Sequence, residues 1–124
     1  MITGISQVIL PVDDPERAKA FWTAVVGFEL RTDARYGATE RWIEVVPPDS
    51  APRLVLSRRR DDALSHGTGD DLPDAPVFFT CDDVEGTYRE LTERGVRFPT
   101  PPQRLEFGWW SVFEDHEGTR YALG

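Results

Sequence analysis

The chain carries the run Val8-Ile9-Leu10-Pro11-Val12-Asp13-Asp14, and a second run of the same kind, Val77-Phe78-Phe79-Thr80-Cys81-Asp82-Asp83, follows sixty-nine positions later. In each copy an apolar stretch of strand length meets an Asp-Asp pair. A helical pattern then ends at a glycine followed by an apolar residue, Gly27-Phe28 in the first copy and Gly95-Val96 in the second. The repeat predicts a doubled β-α-β unit.

The second aspartate of each pair is placed to begin a helix. The carboxylates of Asp14 and Asp83 are expected to accept the free N–H groups of the first turn, and Pro15 falls where a missing N–H costs nothing. Gly27 and Gly95 are predicted to end the two helices in a left-handed conformation. Apolar residues recur between these limits at helical spacing, and they are Ala18, Phe21, Trp22 and Val25 in the first copy and Val84, Tyr88 and Leu91 in the second.

Alternating and apolar runs predict the strands of both copies. In the first copy the predicted strands are 5–12, 28–31, 41–46 and 53–57. In the second copy one strand is predicted to begin at residue 76, and the others are 96–98, 108–114 and 119–123. Residues 33–39 are rich in turn formers, and Pro99-Thr100-Pro101-Pro102 is predicted to be a stiff connection.

Both copies are thus predicted to be β-α-β-β-β modules, over about 4–58 and about 76–124, with a linker over about 59–75. Two half-domains of about sixty residues would each be marginal alone, so we expect one domain over residues 1–124.

Composition narrows the classes of partner. The formal net charge of −8 argues against nucleic acid and against anionic membrane surfaces. No apolar run approaches membrane-spanning length, no basic-then-apolar leader opens the chain, and Cys81 is the single cysteine. We therefore expect a soluble cytoplasmic protein without a disulfide.

These features resemble the vicinal oxygen chelate superfamily, which includes glyoxalase I, bleomycin-resistance proteins, extradiol dioxygenases and fosfomycin-resistance enzymes. The resemblance rests on the doubled module order, the Asp13-Asp14 helix entry, the Gly27-Phe28 stop and the turn Phe113-Glu114-Asp115-His116-Glu117-Gly118, and it covers essentially the whole chain. It implies an α+β fold in which two βαβββ modules curl mixed sheets around a shared cleft, with the helices on the outer face.

Metal-dependent members of that superfamily take ligands, usually His, Gln or Glu, from the first and last strand of each module. The resemblance places these positions at Gln7 and Val55 in the first module and at Pro76 and Ala122 in the second. Only Gln7 carries a donor, and one neutral amide cannot hold a divalent ion. We therefore predict no metal and no other cofactor, with Gln7 serving as a polar residue at a strand start or as a hydrogen-bonding partner of a ligand.

The histidines, the cysteine and the glycine-rich segment are predicted to have no catalytic role. His66 lies in the linker and His116 in a turn, so both are predicted to be solvated. Cys81 shares the alternation of Val77 and Phe79, which face the helix, and a small buried apolar role is favoured over a nucleophile. Gly67-Thr68-Gly69 lacks the lysine and the strand-to-helix context of a phosphate site.

The same alternation predicts which side chains line the cleft. They are aromatic or apolar with isolated polar groups, which is typical of a small-molecule site. The candidate ligand-binding residues are Gln7, Trp42, Glu44, Arg53, Phe78, Trp110 and Arg120.

Some of these residues admit other roles. Trp42 and Trp110 could equally fill the core or form a dimer contact. A carboxylate such as that of Glu44 on a cleft wall needs a cation, a protonated partner or water. Its candidate partners within the chain are Arg41, Arg53 and Arg120.

Two classes of function fit this sequence. The first is a metal-free homodimer that resembles the bleomycin-resistance branch and sequesters a planar or cationic organic ligand. The second is a glyoxalase- or dioxygenase-like enzyme, a lyase or oxidoreductase acting on a small metabolite, either with a displaced metal or metal-independent with Glu44 or another cleft group as general base. A purely structural dimerisation module is least favoured, because it has no need of a concave surface studded with polar groups.

Overall fold

A computed structural model describes residues 1–36, 40–48, 52–58, 77–106 and 108–124, with the side chain of Tyr36 left aside. The predicted linker, His66 and Pro76 lie outside these residues. The chain divides into two compact units, Met1–Ala63 and Leu64–Gly124, called here the first and second unit.

Both units have the predicted β-α-β-β-β order, which confirms the α+β fold class. The first unit contains β1 (Gln7–Val12), α1 (Pro15–Ala20), which continues as a π-helical segment (Phe21–Val25), β2 (Glu29–Tyr36), β3 (Glu40–Val46) and β4 (Arg53–Arg58). The second unit contains β5 (Phe78–Phe79), α2 (Val84–Glu93), β6 (Thr100–Leu105), β7 (Gly108–Glu114) and β8 (Arg120–Leu123).

The two sheets have equivalent strand orders. The first is β1-β4-β3-β2 and the second is β5-β8-β7-β6. In each sheet the opening strand pairs in parallel with the closing strand of its unit, and the other pairs are antiparallel. A parallel neighbour requires a crossover connection, and the helix provides it.

The helix boundaries follow from local chemistry, as the sequence predicts. The Asp14 carboxylate accepts hydrogen bonds from the backbone N–H groups of Glu16 and Arg17, and that of Asp83 accepts one from Gly86. These contacts satisfy donors that have no partner within the helix. Gly27 and Gly95 adopt φ angles of 97° and 92°, the left-handed conformation predicted for them.

In the first unit, ion pairs mark the sheet face on which α1 packs. The Arg41 guanidinium contacts both Glu16 of α1 and Asp33 of β2, and Lys19 of α1 donates to Asp33 at 2.7 Å. The predicted apolar stripe is buried on the same side, with Ala18 and Trp22 fully buried.

In the second unit, aromatic rings mark the corresponding face. Tyr88 of α2 packs edge-on against Phe98, and Phe98 contacts Phe113 of β7. Phe79 and Tyr121 complete the cluster from β5 and β8. Aromatic rings from α2, β5, β7 and β8, together with Phe98, therefore pack against one another on the helix face of the second sheet.

Three strand predictions are wrong in extent or position. The first strand begins at Gln7 rather than residue 5. The second extends through Tyr36, across residues predicted to be turns, while the strand predicted over 96–98 lies instead at Thr100–Leu105. The latter includes Pro101 and Pro102, which an edge strand tolerates because one side of its backbone needs no ladder hydrogen bonds.

Within the part of the chain that is described, no helix has the length and apolar character needed to cross a membrane.

Candidate functional site

The strand register defines a face of the first sheet opposite α1, called here the first far face. Cα pairing aligns Gln7 with Arg53, Ile9 with Val55, Val55 with Glu44, Glu44 with Thr32, and Trp42 with Ala34. Paired residues share a face and alternate residues of one strand return to it. The candidate ligand-binding residues that the register places on this face are Gln7, Trp42, Glu44 and Arg53.

Glu44 is the centre of a hydrogen-bond network on the first far face. Its Oε1 accepts from the Thr32 hydroxyl at 3.0 Å and from Arg53 Nη1 at 3.1 Å, and its Oε2 accepts from Trp42 Nε1 at 2.9 Å. The Glu44 side chain is only 8% exposed, whereas that of Arg53 is 43% exposed. Of the three arginines considered as partners for this carboxylate, Arg53 forms the ion pair.

The network fixes the charge state of Glu44. The Trp42 indole N–H has the largest effect, and with the Thr32 hydroxyl and the Arg53 guanidinium it outweighs burial and holds the pKa of the Glu44 carboxyl below its usual value. Glu44 is therefore a carboxylate at neutral pH, and its charge is already balanced by Arg53. Such a group is a weak general base, because its proton affinity is low and three of its acceptor positions are occupied.

Trp42 is oriented by the same contact. Its indole can rotate about two side-chain torsions, and the hydrogen bond to Glu44 Oε2 restrains them. A flat aromatic surface held in one orientation loses little conformational entropy when a second ring stacks on it.

The second sheet has an equivalent far face, opposite α2. Cα pairing aligns Phe78 with Ala122 and Ala122 with Val112, and alternation adds Trp110 and Arg120. The Phe78 and Trp110 rings meet at 5.5 Å between centroids and 64° between planes. Phe78, Trp110 and Arg120 therefore share this face, as the alternation predicts.

Exposure differs between the middle and the edge of these faces. Val55, Val112 and Ala122 on the central strands are almost completely buried, while Ile9 on β1 and Phe78 on β5 are 59% and 52% exposed. The opening strand of each far face is therefore accessible, and on the first far face the Arg53 side chain and Ala34 are exposed as well.

The residues at the superfamily's metal positions do not fit a metal ion. Val55 and Ala122 are buried aliphatic side chains, so Gln7 is the only donor at the three positions that the structure describes. Among the described residues there is also no group of three or more His, Cys, Asp or Glu side chains placed to hold one.

The Asp115 carboxylate organises the signature turn of the second unit. Its Oδ1 accepts the backbone N–H groups of Glu117 and Thr119, each at 3.0 Å, and its Oδ2 accepts the Tyr121 hydroxyl at 2.7 Å. Burial raises the pKa of this carboxyl, although the three hydrogen bonds oppose the change. The role of this aspartate is to close the turn between β7 and β8.

His116 and Cys81 differ from the environments that the sequence predicts for them. The His116 side chain is only 10% exposed and lies 3.6 Å from Glu117, so the prediction of a solvated histidine is wrong. Cys81 lies beyond β5 rather than inside a strand, and it is partly rather than fully buried. Burial raises the pKa of its thiol, while a hydrogen bond with Thr87 of α2 opposes the rise. A raised pKa disfavours the thiolate that a nucleophile requires.

Thr32 is the residue of the Glu44 network that the sequence does not predict, because the predicted second strand ends at residue 31. A signal was present. Charged residues at 31, 33 and 35 alternate with Leu30, Thr32 and Ala34, which is the two-residue period of a strand.

A sequence model of the Glyoxalase/Bleomycin resistance protein/Dioxygenase superfamily matches residues 4–123. The chain belongs to this superfamily, which confirms the resemblance inferred from the doubled modules and the signature turn.

Relatives match along almost the whole chain. The uncharacterised protein YetH of Bacillus subtilis (strain 168) is 34% identical over 123 residues, which cover 99% of this chain and 98% of YetH. A superfamily member from Sphaerobacter thermophilus DSM 20745 has a TM-score of 0.84 at 27% identity, covering 98% of this chain and 96% of that one. TnmS3, an antibiotic binding protein from Streptomyces sp. CB03234, has a TM-score of 0.80 at 28% identity, covering 99% and 95%.

Proposed function

We propose that this protein is a metal-free binding protein that sequesters a planar organic ligand. The observation that carries the proposal is Trp42, whose ring is oriented by a charge-balanced Glu44 on the first far face. The superfamily's metal positions also support the proposal, because Gln7 is the only donor at those that the structure describes. Such a set favours ligand binding over metal-assisted chemistry. The similarity to TnmS3 supports the proposal further, because that protein binds an antibiotic.

The sequence also allows a cationic ligand. Glu44 retains an acceptor position on Oε2, but its charge is already paired with Arg53. The network therefore favours a planar ligand that stacks on Trp42 over a cationic ligand that pairs with Glu44. The enzyme alternative loses its best general base for the same reason.

Replacing Trp42 with alanine is expected to weaken ligand binding by about 1 kcal/mol or more, roughly fivefold in Kd, because a stacking surface is lost. The measurement is a fluorescence titration with planar and cationic antibiotics, methylglyoxal-thiol adducts and catechols, with turnover assayed in parallel. Trp42→Phe retains a ring, and we expect a smaller loss.

Trp109→Ala is the matched control, because Trp109 lies on the helix face of the second unit, where Arg104 covers its ring. It is expected to leave ligand affinity unchanged. Equal losses at Trp42 and Trp109 would contradict the proposed site. Turnover that persists after exhaustive chelation would make the protein a metal-independent enzyme.

The purified protein is expected to bind no stoichiometric divalent ion at the superfamily site, because Gln7 offers the only donor at its described positions. Elemental analysis and calorimetric titration with zinc, nickel, manganese and iron test this expectation. One tightly bound equivalent that is lost in Gln7→Ala would refute it.

The proposal includes a cytoplasmic homodimer, since exposed Ile9 and Phe78 offer apolar surface for a second chain. Light scattering at micromolar concentration is expected to report twice the mass of one chain. A monomer at every accessible concentration would refute this part of the proposal and leave ligand binding untouched.

A further inference from the structure

Arg53 is the exposed member of the Glu44 ion pair. One of its nitrogens, Nη1, donates to Glu44, and among the described residues its side chain has no other hydrogen bond. A guanidinium has five N–H donors in a planar fork. Most of that fork therefore remains available while the Glu44 contact restrains its direction.

The surroundings of Arg53 are open and polar at one end. Gln7 is its Cα pairing partner on β1, so the two side chains start about 5 Å apart on the same face. The neighbouring Ile9 is 59% exposed. This end of the first far face can therefore be reached from solvent.

Charge decides which ligand group this arrangement suits. Across Gln7, Ile9, Thr32, Trp42, Glu44, Arg53 and Val55, the charged residues are Glu44 and Arg53. Glu40 is on the same face but lies beyond Trp42, at the first residue of β3. Glu44 is buried and holds three donors, whereas Arg53 is accessible and presents unused donors. At the end of the face where Gln7 pairs with Arg53, the charged group exposed to a ligand is thus the cation, even though the chain carries a net charge of −8.

We propose that the ligand of this site is a planar organic acid, with an acidic oxygen bound by Arg53 and a ring stacked on Trp42. A carboxylate matches the guanidinium fork and forms charge-assisted hydrogen bonds with it. The Gln7 amide can donate to the same oxygens. Glu44 acts as a positioning residue that aims both Arg53 and Trp42. This inference rests on the proposed binding function and names its ligand class.

Three anthracene probes with the same ring test the proposal, one bearing a carboxylate, one a carboxamide and one a methylammonium group. Equilibrium dialysis of the full chain measures each Kd. We expect the acid to bind about tenfold more tightly than the amide and the cation, because only the acid forms charge-assisted hydrogen bonds with Arg53.

Arg53→Gln is expected to remove this preference, weakening the acid about tenfold while changing the affinity for the amide less than about threefold. Arg17→Gln is the matched control, since it removes the same charge from an exposed position on α1. It should preserve the preference.

The outcomes separate the two proposals. Equal affinity for acid and amide, or equal losses for all three probes in Arg53→Gln, would overturn the organic-acid assignment while planar-ligand binding stands. If the methylammonium probe binds most tightly, its cation would be assigned to Glu44, and the organic-acid assignment would again be overturned. Failure of every probe to bind at millimolar concentration would overturn the proposed function together with this inference.

Discussion

Asp115→Ala is expected to lower the free energy of unfolding by about 3 to 5 kcal/mol. The substitution leaves three donors without their acceptor, namely the Tyr121 hydroxyl and the backbone N–H groups of Glu117 and Thr119. Each unsatisfied donor at a buried site costs about 1 to 3 kcal/mol. Urea denaturation followed by circular dichroism measures the loss.

Two variants separate the parts of this network. Tyr121→Phe removes one hydrogen bond and keeps the ring, so a loss of about 1 kcal/mol is expected. Asp115→Asn keeps an oxygen for the two backbone donors and should fall between the other variants. A loss below 1 kcal/mol for Asp115→Ala would mean that the turn closes without its carboxylate.

The pH dependence of stability has a definite sign at Asp115. Because burial raises the pKa of this carboxyl in the folded chain, the folded state holds the proton more tightly than the unfolded state. Its contribution to stability is fully present below about pH 3.9, the usual aspartate value, and is lost as the pH rises through the raised pKa. The difference in unfolding free energy between wild type and Asp115→Asn is therefore expected to increase on acidification.

Helix boundaries could be predicted because their causes are local. The carboxylates of Asp14 and Asp83 accept hydrogen bonds from N–H groups no more than three residues away. Gly27 and Gly95 adopt the positive φ angles at which the helices end, a conformation that favours glycine. Such signals depend on a few consecutive residues and survive in any tertiary context.

The edge strands could not be placed in the same way, because their hydrogen bonds come from distant partners. Residues 31–36 contain several charged side chains, and β3 draws them into the sheet by pairing Asp33 with Ile43 and Arg35 with Arg41. Residues 100–105 contain Pro101 and Pro102, yet β7 pairs with them across an irregular register. Tertiary pairing outweighs local propensity in both strands.

The candidate site was predictable as a face but not as a network. Alternation identifies Glu44, Trp42 and Arg53 as neighbours, since a period of two follows from strand geometry. The choice among arginines depends on the pairing of β1, β3 and β4 and on Asp33, which engages Arg41 on the opposite face. Asp33 can be identified as the partner of Arg41 only when β2 is known to continue past residue 31.

Trp22→Ala is expected to cost about 3 to 5 kcal/mol of unfolding free energy, as is usual for a large core aromatic replaced by alanine. Trp22 is fully buried, its ring contacts those of Phe21 and Phe28 at 5.2 and 5.4 Å between centroids, and its carbonyl accepts the Phe28 N–H. Urea denaturation measures the loss. Thr23→Ala, one residue along the same π-helical segment, is the matched control. Its expected loss is about 1 kcal/mol or less, because it removes only the hydrogen bond from the Thr23 hydroxyl to the Lys19 carbonyl.

The same variant tests the prediction that residues 1–124 fold as one domain. In a Trp42→Phe background, Trp22→Ala leaves Trp109 and Trp110 of the second unit as the only tryptophans, so fluorescence then reports on that unit alone. One cooperative transition requires the fluorescence and circular dichroism midpoints to fall together by the same amount. A second unit that keeps its original midpoint would contradict the single domain, whereas a loss below 1 kcal/mol by both probes would contradict the role of Trp22 in the core.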